Sequence, residues 1–346
     1  MKPHAIRVMI VEDSPVVRML LTHIVGGDPR LEVVAAFANA EDAIAALDDV
    51  RPDVISMDIR LPGIDGLEAT RRIMADRPTP IVVISASIDK TALNPTMDAL
   101  SAGALSVVEK PVGVGDSAYR AVASEICTQL AIMSQVAVVR RRIQPRAVRT
   151  EVRAGATRPR LLLVAASTGG PQALARMFAA LPADLPLPVL LVQHMGPAFM
   201  EGFARWLDSV VPQHVVLAAE GAVPDAGTIH VAPGDRHLGV DAQGRMRLSS
   251  APPIGSQRPA ATYLFESVAD MLSGAAIAVV LTGMGEDGAT GVSRIVRAGG
   301  TAIAEHENTA VVYGMPAAAV RAGALALPLD TIAPHLMRVM TREGAA

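Results

Sequence analysis

The sequence predicts an α/β protein of two domains: an N-terminal (βα)5 unit, then a doubly wound, mostly parallel α/β unit with a small antiparallel excursion. Three observations carry this. In both halves short, strongly apolar runs alternate with longer stretches of helical spacing, the pattern of parallel sheets covered by helices on both faces. Between the halves, 136–160 holds Arg140, Arg141, Arg142, Arg146, Arg149, Arg153, Arg158 and Arg160 with Pro145, Gly155 and Pro159, a mixture that does not bury. The length, 346 residues, suits two domains of ordinary size.

In the first half, apolar runs at 6–11, 31–36, 53–57, 81–84 and 106–108 read as buried strands. Helical spacing falls near 15–26, 40–49, 66–76, 91–102 and 117–133, with Asn39 and Asp65 as expected helix caps. In the second half, 161–166, 189–192, 277–281 and 301–304 read as parallel strands. Shorter alternating runs over 215–250, with turns at 225–227 and 242–244, give the antiparallel excursion. The resulting division is a first domain at 5–124, a helix end and Arg-rich linker at 125–158, and a second domain at 159–346.

The composition narrows the function classes. A formal charge of −3 gives no electrostatic reason to expect nucleic acid as the partner. The one cysteine, Cys127, excludes an intrachain disulfide and reads as inert packing in an apolar helix. The first apolar run is cut by Arg7 and stopped by Glu12 and Asp13, unlike a secretory leader. No run reaches the roughly 20 apolar residues that cross a bilayer. A cytoplasmic protein without membrane insertion is expected.

Chemistry-bearing residues collect at predicted strand ends, where open parallel sheets bind ligands. Glu12 and Asp13 follow the first strand and Asp58 the third. Three carboxylates at neighbouring mouths form a hard-oxygen pocket suited to Mg²⁺, which would screen charge and let an aspartate attack phosphorus. Ser85 ends the fourth strand and can donate to a phosphoryl oxygen. Lys110, before Pro111, follows the fifth and can set an ammonium beside it. Acids after strands can also be plain helix caps, but three acids, a hydroxyl and a lysine, in order at strand ends, argue for a site.

In Val11-Glu12-Asp13-Ser14, 57–66, Ser85-Ala86 and Glu109-Lys110-Pro111 the chain resembles the response-regulator receiver family. The resemblance implies that Asp58 accepts phosphate from a histidine kinase. Val107 stands where many receivers carry an aromatic, and Arg60 where an acid is common in close relatives.

In the second half, Ser167 lies in Ala165-Ala166-Ser167-Thr168-Gly169-Gly170-Pro171, between an apolar strand and a helix. This approximates a nucleophile elbow, although a serine helix cap has the same look. His194 and Asp287 follow strands too, so the three can converge on one sheet edge as a Ser–His–Asp relay. His306 is the rival base and Glu286 the rival acid; His230 and His237 are candidates to line a substrate groove. His4, His23, His214 and His335 read as surface or packing residues.

The segments 165–171, 193–199, 229–237 and 281–291 are similar to the catalytic domain of chemotaxis protein-glutamate methylesterases. The resemblance implies Ser167 as nucleophile, His194 as base and Asp287 as third member. It sets Thr168 and Met284 beside them, with the Met284 amide as oxyanion donor. The implied substrates are γ-glutamyl methyl esters, and certain glutamines, on chemoreceptor cytoplasmic helices; the esterase itself needs no cofactor. An unphosphorylated first domain covering the Ser167 edge is the expected switch.

Two other readings compete. Gly283-Met284-Gly285-Glu286-Asp287-Gly288 is a literal G-x-G-x-x-G with Glu305 about 20 residues on, as in a dinucleotide-binding enzyme. A receiver with a non-enzymatic, DNA-binding output is the other, but the second half is larger than a helix-turn-helix module and lacks a basic recognition helix.

Overall fold

The computed structural model describes residues 5–85, 99, 102–104, 106–111, 117–136, 159–272 and 274–341. The expected helix near 91–102, apart from Ala99 and Ala102, and most of the Arg-rich linker lie outside them. The chain divides into two compact units, Met1–Pro145 and Arg146–Ala346.

The first unit holds β1 (Ile6–Val11), β2 (Leu31–Phe37), β3 (Val54–Met57), β4 (Ile81–Ser85) and β5 (Ser106–Glu109). They form one sheet in the order β2-β1-β3-β4-β5, every pair parallel. β3 and β4 are buried along their whole length, as strands covered on both faces must be. Its helices are α1 (Pro15–Gly26), α2 (Ala40–Ala45), α3 (Leu47–Val50), α4 (Gly66–Asp76) and α5 (Ser117–Met133). The caps act as expected: the Asp42 amide donates to Asn39 Oδ1 and the Glu68 amide to Asp65 Oδ1, both at 2.8 Å. The helix expected over 40–49 is divided at Ala46, and the second piece stops at Arg51, whose φ of 44° is left-handed.

The second unit holds β6 (Leu161–Ala166), β7 (Val189–Gln193), β8 (His214–Leu217), β9 (Thr228–Val231), β10 (His237–Val240), β11 (Met246–Ser249), β12 (Ala276–Val280), β13 (Thr301–Glu305) and β14 (Leu325–Leu327). Seven form a parallel sheet in the order β14-β13-β12-β6-β7-β9-β8. Its helices are α6 (Gly170–Ala179), α7 (Met200–Val210), α8 (Ala261–Leu272), α9 (Ala289–Arg297), α10 (Met315–Arg321) and α11 (Leu329–Thr341). The antiparallel excursion is present but shorter than 215–250. It is the β10–β11 hairpin alone, while β8 and β9 join the main sheet in parallel. Alternating short strands reveal which face is buried, not which partner they pair with.

β6 leads to β7 on one side and lies beside β12 on the other. The strand order therefore reverses at β6, and the crevice of a doubly wound sheet opens beyond its C-terminal end. An apolar core that includes Leu163, Ala165, Val192, Ala278 and Val280 of these strands with Leu264, Phe265 and Val268 of α8 holds that rim in place. No helix among the described residues is long and apolar enough to cross a membrane.

Candidate functional site

In the first unit, the expected acidic cluster assembles because the neighbouring strands β1 and β3 end at one edge, and β5 brings Lys110 to it. Glu12 and Asp58 are buried and Asp13 is exposed, and oxygens of all three carboxylates lie within 4.8 Å of one another. Hard oxygen donors at this spacing fit a Mg²⁺ ion. The Ile59 amide donates to Asp58 Oδ1 at 2.8 Å. Lys110 Nζ lies 2.9 Å from Asp58 Oδ2 and 2.8 Å from Glu12 Oε2. Burial raises the Glu12 pKa; the hydrogen bond to Lys110 opposes this and the Asp58 charge adds to it. Burial alone would lower the Lys110 pKa, but its bonds to Glu12 and Asp58 outweigh that and raise it. The ammonium stays charged between two acids. Ser85 joins this edge at the end of β4, and the Lys110 amide donates to its carbonyl at 2.9 Å.

Arg60 is exposed, and Val107 packs partly buried against the core of this unit. Cys127 is buried and free, with its thiol pushed up to about 11 by burial, so it packs as an unreactive side chain.

In the second unit, three neighbouring strands set three chain-distant residues on one rim. Ala166 pairs with Gln193, so Ser167 and His194 leave the sheet side by side, and the His194 amide donates to the Ala166 carbonyl at 3.0 Å. On the other flank the Ser167 amide donates to the Thr282 carbonyl at 3.0 Å. Gly283 can approach only because it lacks a side chain: a Cβ there would lie 2.7 Å from Ser167 Cβ. Beyond this turn Asp287 reaches back, and Oδ2 lies 2.8 Å from His194 Nε2.

Two backbone donors at the N-terminus of α8 fix that carboxylate. The Ala261 amide donates to Oδ2 at 2.6 Å and the Thr262 amide to Oδ1 at 2.9 Å. Burial raises the Asp287 pKa, but the bond to His194, its charge and the Thr262 donors outweigh it, leaving the carboxyl below its ordinary range. An ionised Asp287 requires a proton on Nε2, which leaves Nδ1 as the lone-pair nitrogen. His194 Nδ1 is buried and has no hydrogen-bond partner among the described residues. The Ser167–His194 hydrogen bond is thus open here, although the two residues leave adjacent strands.

The other candidates fall away by position. Glu286 is exposed, whereas Asp287 meets the imidazole. The Asn308 amide donates to His306 Nδ1, within its own turn. His230 and His237 are buried and engaged by backbone donors: the Asp225 amide donates to His230 Nε2, and the Ala260 amide to His237 Nδ1. Burial lowers the His230 pKa, keeping it neutral. His335 is buried, His23 and His214 are exposed, and His4 lies outside the described residues. Thr168 is buried beside Ser167, and Met284 is half exposed at the rim.

The dinucleotide reading fails on the same geometry. Glu305 is buried, and its Oε2 accepts the Thr282 amide at 2.9 Å instead of facing a ribose. Sequence reasoning missed Gln193 and Thr282 and gave Glu305 a ribose-binding role; all three tie the turns around Ser167 together. The available signal was a polar residue ending a buried apolar strand, at Gln193 and Glu305, or closely following one, at Thr282.

Fold and site together define a class: a phosphoaspartate-type receiver sharing one chain with an α/β hydrolytic domain. Residues 8–118 match the response regulator receiver domain and 162–336 match the CheB methylesterase family. A protein-glutamate methylesterase/protein-glutamine glutaminase of Paramagnetospirillum magneticum is 50% identical over 341 residues, covering 96% of both chains. One of Anaeromyxobacter dehalogenans is 45% identical over 337 residues, covering 96% of this chain and 98% of its own. The CheB methylesterase catalytic domain of Thermotoga maritima is 36% identical, covering 53% of this chain and all of that one, with a TM-score of 0.51. The chain belongs to the CheB methylesterase family of chemotaxis response regulators and is an enzyme of that family.

Proposed function

We propose that residues 159–346 hydrolyse γ-glutamyl methyl esters, and deamidate certain glutamines, on the cytoplasmic helices of chemoreceptors. Residues 5–124 act as the phosphorylation switch and 125–158 connect the two. The observation that carries the reading is the His194–Asp287 contact at 2.8 Å, made on the rim where Ser167 leaves β6.

Ser167 Oγ attacks the acyl carbon as its proton passes to His194 Nδ1. Asp287 keeps the Nε2 proton in place and stabilises the imidazolium. The negative charge that develops on the acyl oxygen is met by the Met284 amide, which makes no backbone hydrogen bond among the described residues. His194 then returns the proton to the departing methanol or ammonia. Water repeats the sequence on the acyl-serine, releasing the glutamate carboxyl and restoring Ser167. Thr168 supports the turn, its carbonyl accepting the Thr282 hydroxyl at 2.9 Å.

In the switch, Asp58 takes the phosphoryl group from a histidine kinase. Glu12, Asp13 and Asp58 hold Mg²⁺, which when bound screens the charge of the phosphoryl oxygens. Lys110 follows the new phosphoryl oxygens with its ammonium, and Ser85 donates its hydroxyl to them. The cytoplasm is the compartment that brings kinase, receptor helices and enzyme together. The test is methanol release from methyl-labelled receptor membranes, with and without a phosphodonor. Wild-type chain should release methanol, faster with the donor, and Ser167→Ala should release none. Release by Ser167→Ala at the wild-type rate would refute the assignment.

A further inference from the structure

We infer that Gln193 is a positioning residue whose side-chain amide locks the Ser167 turn to the His194 turn; this rests on reading those two residues as nucleophile and base. Gln193 is the last residue of β7 and is buried. Its Nε2 donates to the Ser167 carbonyl and to the His194 carbonyl, both at 2.9 Å. Each proton of one planar NH₂ group is thereby committed to one of the two residues that must exchange a proton. The orientation is forced, because the flipped amide would point its oxygen at two carbonyl oxygens.

Two further observations separate this from ordinary core filling. Gln193 Oε1 is buried and has no hydrogen-bond partner among the described residues. An unpaired buried acceptor is costly, and an apolar residue at the end of this apolar strand would avoid that cost. The two donors therefore do something an apolar side chain would not. The neighbouring chain also makes room for the amide: a Cβ at Gly170 would overlap Gln193 Oε1 and lie 2.8 Å from Ala166 Cβ. The Gly170 amide itself donates to the Ser167 carbonyl at 2.8 Å, so that oxygen accepts from both sides.

With the clamp in place, Ser167 and His194 move as one body, and the nucleophile–base distance is set by a rigid amide instead of by two independent turns. Misplacement of a reacting group by about 1 Å can cost on the order of 100-fold in rate. Loss of the clamp should lower kcat and leave KM nearly unchanged, because Gln193 is buried and presents no surface to a substrate.

The experiment compares the full-length wild type with Gln193→Met, Gln193→Glu and Gly170→Ala. Turnover is followed on methylated receptor membranes, and amide exchange by mass spectrometry. Gln193→Met removes both donors at similar length, and Gly170→Ala displaces the amide without removing it. Both should lose about 10–100-fold in kcat and speed exchange in peptides over 163–173 and 190–198 only. Gln193→Glu sets a carboxylate against two carbonyls, so its activity relative to wild type should rise as falling pH returns a proton to it. Wild-type kcat in Gln193→Met and Gly170→Ala overturns the inference, as does exchange that is unchanged or faster across the whole domain. A Gln193→Glu to wild-type ratio that is flat with pH overturns it as well. A wild type inactive on methyl esters would instead sink the proposed function, and the exchange arm would then decide the clamp alone.

Discussion

Replacing Glu305 with glutamine should stabilise the C-terminal unit at alkaline pH and change little at acid pH. Glu305 ends β13 fully buried, and burial pushes its carboxyl from 4.5 up to about 7. The Thr282 amide, the Thr309 hydroxyl and the more distant Arg176 only partly oppose that rise. The folded protein thus holds a proton on Glu305 between about pH 4.5 and 7 that the unfolded chain has released. Stability from this group is complete below 4.5 and is lost as pH rises through 7. The difference between 4.5 and about 7 corresponds to about 3 kcal/mol. Glutamine keeps the acceptor for the Thr282 amide and never ionises. Trp206, the single tryptophan, sits on α7 and reports unfolding of this unit alone. Urea titrations followed by its fluorescence should show wild type and Glu305→Gln nearly equal at about pH 4.5, with the variant ahead by up to about 3 kcal/mol at pH 8.5. An equal difference at both pH values would refute the assignment of a neutral, buried carboxyl.

In Asp287→Asn, three donors from His194, Ala261 and Thr262 meet a side chain with only one oxygen. Whichever way the amide turns, its nitrogen faces a backbone donor and leaves it unpaired, and with the nitrogen toward His194 the imidazole tautomer must reverse as well. Methyl-ester kcat should fall about 10³–10⁴-fold, measured as methanol release, with the fold retained by circular dichroism. The lowered Asp287 pKa contributes stability that is present above the ordinary carboxylate range and lost as pH falls through the folded value; Trp206 titrations in acid should show that loss absent from Asp287→Asn. Asp58→Asn should take up no phosphoryl group from a small-molecule donor and keep basal ester hydrolysis. Chelating Mg²⁺ should likewise block phosphorylation of wild type without affecting the basal esterase, read as radiolabel uptake beside methanol release.

Much of this architecture is legible in the sequence because buried parallel strands are written as unbroken apolar runs. The runs at 6–11 and 161–166 end where β1 and β6 end. Asn39 and Asp65 announce their helices because a side-chain acceptor before an amphipathic run has one common use, capping. The rim residues were legible for the same reason: polar residues directly after an apolar strand fall at the open edge of the sheet. The pairing partner of a short strand is not written locally, so β8 and β9 read as antiparallel although they extend the parallel sheet. β14 has three residues, too few to show a period. The division at Ala46 depends on backbone angles within an otherwise helical pattern. At the site, Asp287 and Glu286 are adjacent acids after one glycine-rich turn. Only the tertiary placement of α8, with the Ala261 and Thr262 amides aimed at one carboxylate, selects between them. Nor does sequence show which imidazole nitrogen meets the acid.

The most direct test of the hydrolase account is covalent capture of the nucleophile. A fluorophosphonate ester should modify full-length chain at one residue, mapped by peptide mass spectrometry to Ser167, and His194→Ala should slow the modification at least about 100-fold. Modification of Ser167 at the same rate without His194, or stoichiometric modification at another residue, would contradict it.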